Sequence, residues 1–555
     1  MKKYAIRKWH GENLTEHLLH HRGHTTKAQQ ERFLKPDYEK DQHDSALLKD
    51  IDIAVERILK AIKSDEKIII YSDYDTDGIP GGVLLHDFFK KIGFVNFRNY
   101  IPHRHDEGFG LHKEAIKEFA KEKVDLIITI DCGIADVESV KTANKLKIDV
   151  IITDHHMPGD EIPPAHAIIN PKQKKCLYPE KMLCGSGVVF KLVQALIKKG
   201  NFNLGVGWEK WLLDMVGIAT LSDMVPLTGE NRVFAKYGLM VLRKSPRLGL
   251  KMLLKKAKTD QRYLTEDDIG FTIGPRINAA SRMGVPTDAF KLLAATDIDE
   301  ATIMVEHLDK INNERKGIVA AMVKEAKSHI KNRDDSLVLV LGNPEWKPSL
   351  LGLVANTLAE EFVKPVFLWG RDGDGVIKGS CRSDGETDLV ALMKKAPSTT
   401  FLQFGGHAFS GGFSVDTKKI HTLGEVLNNA FVKSADDKKV QEIPVDAELT
   451  LDRIDRDTYK SIDQLSPFGV ANEKPLFMFR NVTPTNIKRF GKEKNHLELI
   501  FTHKLRNISA ISFFSTPEDW GIKENIPLTL IAHIEKSMFR AREEIRLRII
   551  DILYI

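Results

Sequence analysis

The sequence predicts an α/β protein: a parallel-sheet domain, a long connector helix, a second α/β domain and a small C-terminal β-barrel. Three observations lead there. Short apolar runs alternate with amphipathic helical stretches before residue 300 and again after residue 336, the texture of parallel sheets covered on both faces. A proline-free stretch of ~30 residues at helical spacing separates the two regions. Beyond Glu442 helical periodicity gives way to short alternating segments.

The chain has 555 residues, and at roughly 100–200 residues per domain it divides into three or four units. The expected boundaries are an N-terminal arm at 1–45, the parallel-sheet domain at 46–300, the connector at 301–332, the second α/β domain at 333–435 and the barrel at 442–555. The arm is polar, rich in His, Lys and Gln, and His20-His21 within it reads as a solvated loop pair. Ile51 to Lys63 is an amphipathic helix. Strand-type runs follow at Lys67–Tyr71, Val124–Ile130 and Asp149–Thr153, separated by helical stretches at Gly82–Lys91, His112–Lys121 and Val137–Leu146. Residues 186–200, 207–221 and 231–243 read as helices, and Ala301 to Lys331 as the connector. The second unit has strands at Ser336–Leu341 and Pro365–Trp369, a helix at Leu351–Phe362 and a glycine-rich segment from Gly405 to Gly412. Barrel strands are expected at Leu497–Thr502, Ile508–Phe514, Pro527–Ile534 and Ile545–Tyr554.

Composition excludes some classes. Hydrophobic residues are 42% and charged residues 29%, ordinary for a soluble protein. No apolar run approaches the ~18–20 residues that span a bilayer, and no signal peptide is expected behind the basic N-terminus. The four cysteines (Cys132, Cys176, Cys184 and Cys381) form no CxxC pair, which fits a reducing cytoplasm rather than a disulfide framework or a zinc knuckle. The net charge of +5, from 82 basic and 77 acidic residues, is too small to argue nucleic-acid binding alone, so any binding charge has to be local.

The chemistry lies at the strand ends. The three apolar runs of the first domain end in Asp73-Tyr74-Asp75-Thr76-Asp77-Gly78, Asp131-Cys132-Gly133 and Asp154-His155-His156. Ligands of open parallel sheets bind at the carboxyl ends of strands, so five aspartates and two histidines are expected around one crevice. So many carboxylates repel one another unless a cation sits among them. Carboxylate and imidazole without thiolate suit Mn, Mg, Fe or Zn, with the harder ions favoured. More ligands than one ion needs suggest two ions about 3.5–4 Å apart, as used for displacement at phosphorus. A single aspartate after a strand is ordinarily a turn or N-cap residue; three such motifs at three strand ends are not explained that way. An EF-hand loop is excluded, since Leu84 stands twelfth from Asp73 where glutamate is required.

These motifs resemble the first three of the DHH phosphoesterase family, and Asp223 in Leu221-Ser222-Asp223-Met224-Val225-Pro226-Leu227 resembles the fourth. The segments Tyr100–Leu111 and Gly274–Gly284 narrow the likeness to the RecJ exonuclease branch. Gly379-Ser380-Cys381-Arg382-Ser383 and Gly405-Gly406-His407-Ala408 are similar to the DHH-associated domain, and the tail, with Ser466-Pro467-Phe468-Gly469, is similar to an OB-fold. The resemblance implies Asp75, Asp77, Asp131, His155 and Asp223 as ligands of two Mn²⁺ or Mg²⁺ ions, with Asp131 bridging. It also implies Asp73 in support, His156 on the scissile phosphate, and Asp131, His156 and Asp73 as the catalytic group. Arg104, Phe109, Arg276, Asn278, Arg282, Ser380, Arg382, Gly406 and His407 become candidates for contacting nucleic acid, since guanidinium forks and glycine-flanked backbone amides suit phosphate and Phe109 could stack on a base. The barrel adds Lys488, Arg489, Lys492, Lys494, Arg540, Arg542, Arg546 and Arg548 with Phe490 and Phe539 interleaved, a pattern suited to single strands.

The activity implied is 5′→3′ hydrolysis of single-stranded DNA to mononucleotides in repair and recombination. A single-strand binding protein and a helicase are the implied partners, and no membrane is. Two alternatives are weighed. A DHH phosphodiesterase of oligoribonucleotides or cyclic dinucleotides resembles the first two domains but lacks the OB-like tail. A non-catalytic scaffold binding replication proteins loses motif aspartates, all of which are present here. His103, Ser281, Phe109 and Ile79-Pro80-Gly81-Gly82 depart from the usual pattern without removing a ligand, which bears on substrate preference.

Overall fold

The computed structural model describes residues 3–330, 336–371, 376–432, 442–491, 493–504, 506–537 and 543–554. A short strand, β1 (Lys3–Ile6), pairs far along the chain. Strands β2 (Ile68–Ser72), β3 (Phe97–Tyr100), β4 (Leu126–Ile130), β5 (Asp149–Thr153) and β6 (Ala167–Ile169) form an all-parallel sheet in the order β3-β2-β4-β5-β6. Successive residues point to opposite faces, so Ile68, Ile70, Ile128 and Ile151 enter one core while Ile69, Tyr71, Ile127 and Ile152 enter the other. The helices Lys113–Lys121 and Val137–Lys145 cover the second face. The helices Ile51–Lys63, Gly78–Lys91 and Gly185–Gly200 cover the first. The sequence reading missed β3 and β6. It also began the helix after motif one too late; that helix starts at Gly78, with Pro80 in its first turn, where proline is tolerated. Gly81 faces the sheet so closely that a Cβ there would lie 2.7 Å from Ile130 Cγ2.

Chain order reverses across the sheet between β2 and β4, since β3 lies outside β2. Such a switch point opens a crevice at the carboxyl ends of the two strands, and Asp73 and Asp131 are the residues that follow them.

The connector is a single helix, Ile298–Ile330. Its first half packs on the parallel-sheet domain through Val305 and Leu308, its second on the next domain through Met322, Ala326 and Ile330. Lys331, the predicted end, lies outside the described residues. In the second domain β7 (Leu339–Gly342) and β8 (Val366–Arg371) are parallel. Antiparallel strands β9 (Ile377–Arg382), β11 (Ser410–Val415) and β10 (Gln403–His407) extend that sheet. The glycine-rich segment is thus a hairpin.

The tail forms a seven-stranded mixed sheet from β13 (Ala447–Glu448), β14 (Phe477–Val482), β15 (Asn486–Phe490), β16 (His496–His503), β17 (Arg506–Ser512), β18 (Leu528–Ser537) and β19 (Glu544–Leu553). Alternate residues such as Leu497, Leu499, Phe501, Leu528, Leu530 and Leu547 form its core. The N-terminal segment is part of this unit, which corrects its reading as an arm. β1 pairs in parallel with β12 (Glu442–Val445), and Leu14, Leu18, Leu19 and Phe33 join the same core. His20 closes the helix Leu14–His20 and stacks on His10 at 4.0 Å, so the His20-His21 pair is packed rather than looped. The buried Arg232 guanidinium fastens this unit to the first domain: it donates to the carbonyls of Phe33 and Ser466 at 2.7 and 3.2 Å and lies on the Phe33 ring.

Candidate metal centre

Three loops deliver the acidic side chains, and each has a local reason for its shape. After β2, Asp75 Oδ1 accepts the backbone amides of Asp77 and Gly78 at 2.8 and 3.0 Å, turning the chain into the following helix. Asp77 crosses to another element. Its two carboxylate oxygens accept the amides of Gly185 and Ser186 at 2.6 and 2.7 Å, at the amino end of the helix Gly185–Gly200, where partial positive charge favours an anion. After β4, Asp131 takes a left-handed backbone, φ +60°. Gly185 backs it so closely that a Cβ there would stand 2.6 Å from Asp131 Cβ and 2.7 Å from Oδ1. Gly185→Ala is therefore expected to displace the Asp131 carboxylate; metal affinity read by isothermal titration should fall about 10–100-fold, the range for disturbed ligand support, with the far-ultraviolet spectrum unchanged.

After β5, Asp154 is fully engaged in ordering its own loop. Oδ1 accepts the amides of His155 and His156 and the ring Nδ1 of His156 at 2.7, 3.0 and 2.8 Å, and Oδ2 accepts the Ile134 amide at 3.0 Å. Burial opposes its charge, but the His156 bond and charge outweigh that and hold its pKa below the ordinary value. Asp154 is thus a positioning residue: it fixes His156 through Nδ1, which leaves Nε2 for a ligand, and favours the protonated ring, whose pKa is raised despite burial.

The remaining groups converge. His155 Nε2 stands 3.1 Å from Asp131 Oδ1, 3.6 Å from Asp223 Oδ2 and 3.8 Å from Asp77 Oδ2. Ligand atoms fall into overlapping sets, among them Asp77, His155 and Asp223 in one and Asp73, Asp75 and Asp131 in another. Asp131, between them, lies close to His155 in the first and belongs to the second. Asp73, read from the sequence as a supporting residue, itself offers a ligand atom here.

The donor set fits two divalent ions on physical grounds. Asp73 Oδ1 and Asp131 Oδ1 are buried without a hydrogen-bond partner, a cost borne by very few polar atoms in folded proteins. Burial and neighbouring carboxylates push Asp73 and Asp131 well above the carboxylate range, Asp77 up to about 6 and Asp223 up to about 9. Burial and His156 push His155 down to about 3, which keeps it neutral as a ligand must be. Oxygen and imidazole donors match Mg²⁺ or Mn²⁺.

Around the centre, Arg282 shares its surroundings with Arg104, Arg315 and Arg382, with Asp75 opposing, and burial followed by those cations lowers its pKa to about 9. Arg282 donates to the Ser349 carbonyl at 2.6 Å, joining the two α/β domains. Arg104 lies over the Tyr74 ring at 4.9 Å. Arg382 donates to Ser380 Oγ at 3.2 Å. Phe109 is half exposed, with its ring 5.6 Å from that of His156. Gly406 (φ +137°) and the exposed His407 lie in the β10–β11 hairpin. Asn278 is half-buried on the helix Gly274–Met283, whose Gly274 carbonyl accepts Thr76 Oγ1. Arg276 is occupied otherwise: Nε and Nη2 both donate to Asp309 Oδ1, at 3.1 and 2.9 Å, and Nη1 to Thr272, which ties that helix to the connector.

Sequence reading missed Lys172 and Arg315. Lys172 follows β6, half-buried in the field of Asp223, Asp154 and Asp131. In the tail, Arg489 pairs with Glu518, Arg546 with Glu535, and Arg548 lies over Phe513 at 4.0 Å. Phe490, His496, Phe513 and Phe514 pack as an aromatic cluster, with Phe514 largely exposed. Lys488 and Lys494 are exposed. Lys492, Phe539, Arg540 and Arg542 lie outside the described residues.

Comparison with known proteins agrees with this organisation. Residues 67–220 match the N-terminal domain of the DHH family, 333–433 the DHHA1 domain and 445–551 the RecJ OB domain. The chain is 33% identical over 545 residues to the single-stranded-DNA-specific exonuclease RecJ of Bacillus subtilis (strain 168), covering 97% of this chain and 67% of that one. It is 32% identical over 447 residues to RecJ of Escherichia coli (strain K12), covering 78% of each. The crystal structure of RecJ from Thermus thermophilus in complex with Mn²⁺ superimposes with a TM-score of 0.80 at 25% identity, over 98% of this chain and 76% of that one.

Proposed function

The chain belongs to the RecJ family, and we propose that Asp73, Asp75, Asp77, Asp131, His155 and Asp223 hold its two ions. It is a metal-dependent exonuclease of single-stranded DNA that takes Mn²⁺ or Mg²⁺. The observation carrying the site assignment is the pair of adjoining ligand sets, with Asp131 Oδ1 buried between them without a hydrogen-bond partner. Bound ions supply activation of water and neutralisation of charge at phosphorus. The protein's own groups do the rest. His156, held through Nδ1 by Asp154, presents Nε2–H to a non-bridging phosphate oxygen. Arg104, Arg282 and Arg382 give guanidinium forks to backbone phosphates, and Phe109 stacks on the base beside His156. Exposed Phe514 with Lys488 and Lys494 gives the OB domain a platform for the rest of the strand.

Hydrolysis is proposed to run 5′→3′ and to release mononucleotides. Oligonucleotides blocked at one end are the test: 3′-blocked DNA should be digested and 5′-blocked DNA resist, with RNA a poor substrate. The opposite pattern overturns the polarity, and digestion of RNA alone favours an oligoribonucleotide phosphodiesterase. A single-strand binding protein and a helicase are proposed partners on the family likeness alone. No helix among the described residues is long and apolar enough to cross a membrane, and four buried thiols fit the proposed cytoplasmic location.

A further inference from the structure

The connector helix carries a run of positive charge that the metal centre does not use. Arg315 stands half-buried with Nε and Nη2 both on the neutral Asn312 Oδ1, at 3.2 and 3.0 Å. Beyond it Lys316, Lys324 and Lys327, with Val319 and Val323 between them, line an open groove of about 490 Å³ that Thr357 of the helix Pro348–Phe362 closes on one side. The positions recur three and four residues apart, so they share one helix face. From Arg315 to Lys327 that face runs about 18 Å at 1.5 Å per residue, the reach of several phosphates.

Among the described residues, little negative charge opposes it. Lys316 faces Arg276 and Arg315, with Asp309 as the opposing group. Lys327 pairs with Glu361 at 2.6 Å. Glu325, in the same stretch, is turned to another side, where it accepts Asn343 Nδ2 and Trp346 Nε1 at 2.7 and 3.0 Å. The groove adjoins the site: Arg282 donates to the Ser349 carbonyl at the start of the same helix Pro348–Phe362 whose Thr357 closes the groove, and Arg315 at the groove's end lies among the cations around Arg282.

We propose that this groove is a second contact surface for the strand under digestion, its cations taking backbone phosphates beyond the nucleotide at the metals and Val319 and Val323 meeting sugar or base faces. The charge and its adjacency to the metal centre select a single-stranded polyanion. An acidic protein segment would satisfy the cations but not that adjacency. The proposal rests on the exonuclease reading, and its test separates the two. Lys316 and Lys324 are exposed, so Lys316→Ala and Lys324→Ala, singly and together, leave the fold intact. Binding of a long single-stranded oligonucleotide by metal-chelated protein is followed by fluorescence anisotropy across a salt series. Each phosphate that a variant no longer neutralises lowers the slope of log affinity against log salt by about 0.7, so the double variant should lose about 1.4. Hydrolysis of a dinucleotide, too short to enter the groove, should be unchanged in both variants. An unchanged slope with dinucleotide hydrolysis intact overturns the groove and leaves the exonuclease standing; absence of any hydrolysis by the wild type removes the exonuclease reading instead.

Discussion

Replacing Asp131 by asparagine is expected to lower digestion of single-stranded DNA by about 10⁴-fold or more, the scale of loss when one member of a catalytic unit is removed, while making the metal-free protein more stable. Both effects follow from position. Asp131 lies between the two ligand sets, 3.1 Å from His155 in one and a member of the other, so its loss disturbs both ions together. Its left-handed backbone (φ +60°) is one that asparagine adopts readily and alanine does not, so the amide separates charge from strain. Without metal the carboxyl is buried amid Asp77, Asp75, Asp73 and Asp223, which push its pKa well up. A neutral group of the same shape relieves that repulsion. Melting in chelator should rise by about 2–4 °C for each kcal/mol relieved, taking the scaling for larger domains, and added Mn²⁺ should no longer raise it as in the wild type. Nuclease activity within tenfold of wild type would remove Asp131 from the shared position.

The proposed ligands Asp73, Asp75, Asp77, Asp131 and His155 are legible in the sequence because they sit where continuous apolar runs stop. Ile68–Ser72, Leu126–Ile130 and Asp149–Thr153 are buried along nearly their whole length and read as strands without help from the rest of the fold. The two strands of this sheet that sequence reading misses lack that signature. Phe97–Tyr100 is a half-exposed edge of four residues and Ala167–Ile169 has three. Missing the second hides Lys172 as well, because nothing then marks Asn170-Pro171-Lys172 as a strand end beside the aspartate cluster. Arg276 and Arg315 show a different limit. Both are arginines on helices near the crevice, and only the fold shows that Asp309 has claimed the first while the second meets neutral Asn312. The pairing of Lys3–Ile6 with Glu442–Val445 bridges most of the chain, and no local periodicity encodes a partner at such separation. Asp154 heads one of the motifs that mark the site in the sequence, yet its oxygens are spent on His155, His156 and Ile134.

Stability without metal is expected to fall as pH rises from about 6.5 to 8.5, and stability with saturating Mg²⁺ to hold or rise over the same window. Burial and neighbouring carboxylates raise Asp223 to about 9 and keep Asp73 and Asp131 well above the usual range. In the unfolded chain these groups ionise near pH ~4, so across the window the folded protein keeps the Asp223 proton that the unfolded chain has released. A state that holds more protons is disfavoured as pH rises. His156, raised by Asp154, acts in the same sense, its stabilising charge being lost as pH climbs through the folded value. His155 acts oppositely, but only in more acid solution: pushed down to about 3, it stabilises as pH rises to the unfolded value near 6.5 and adds no slope beyond it. Above about 6.5, therefore, His155 no longer opposes the carboxylates and His156. Divalent ions compete with those same protons, so their affinity grows with pH; at a concentration of about one hundred times Kd each site adds about 2.7 kcal/mol. The gap between melting temperatures in Mg²⁺ and in chelator should widen steadily across the window for the wild type and much less for Asp131→Asn. A gap that is constant with pH in the wild type would mean that the buried carboxylates are already ionised without metal, and the electrostatic case for a two-ion centre would fail with it.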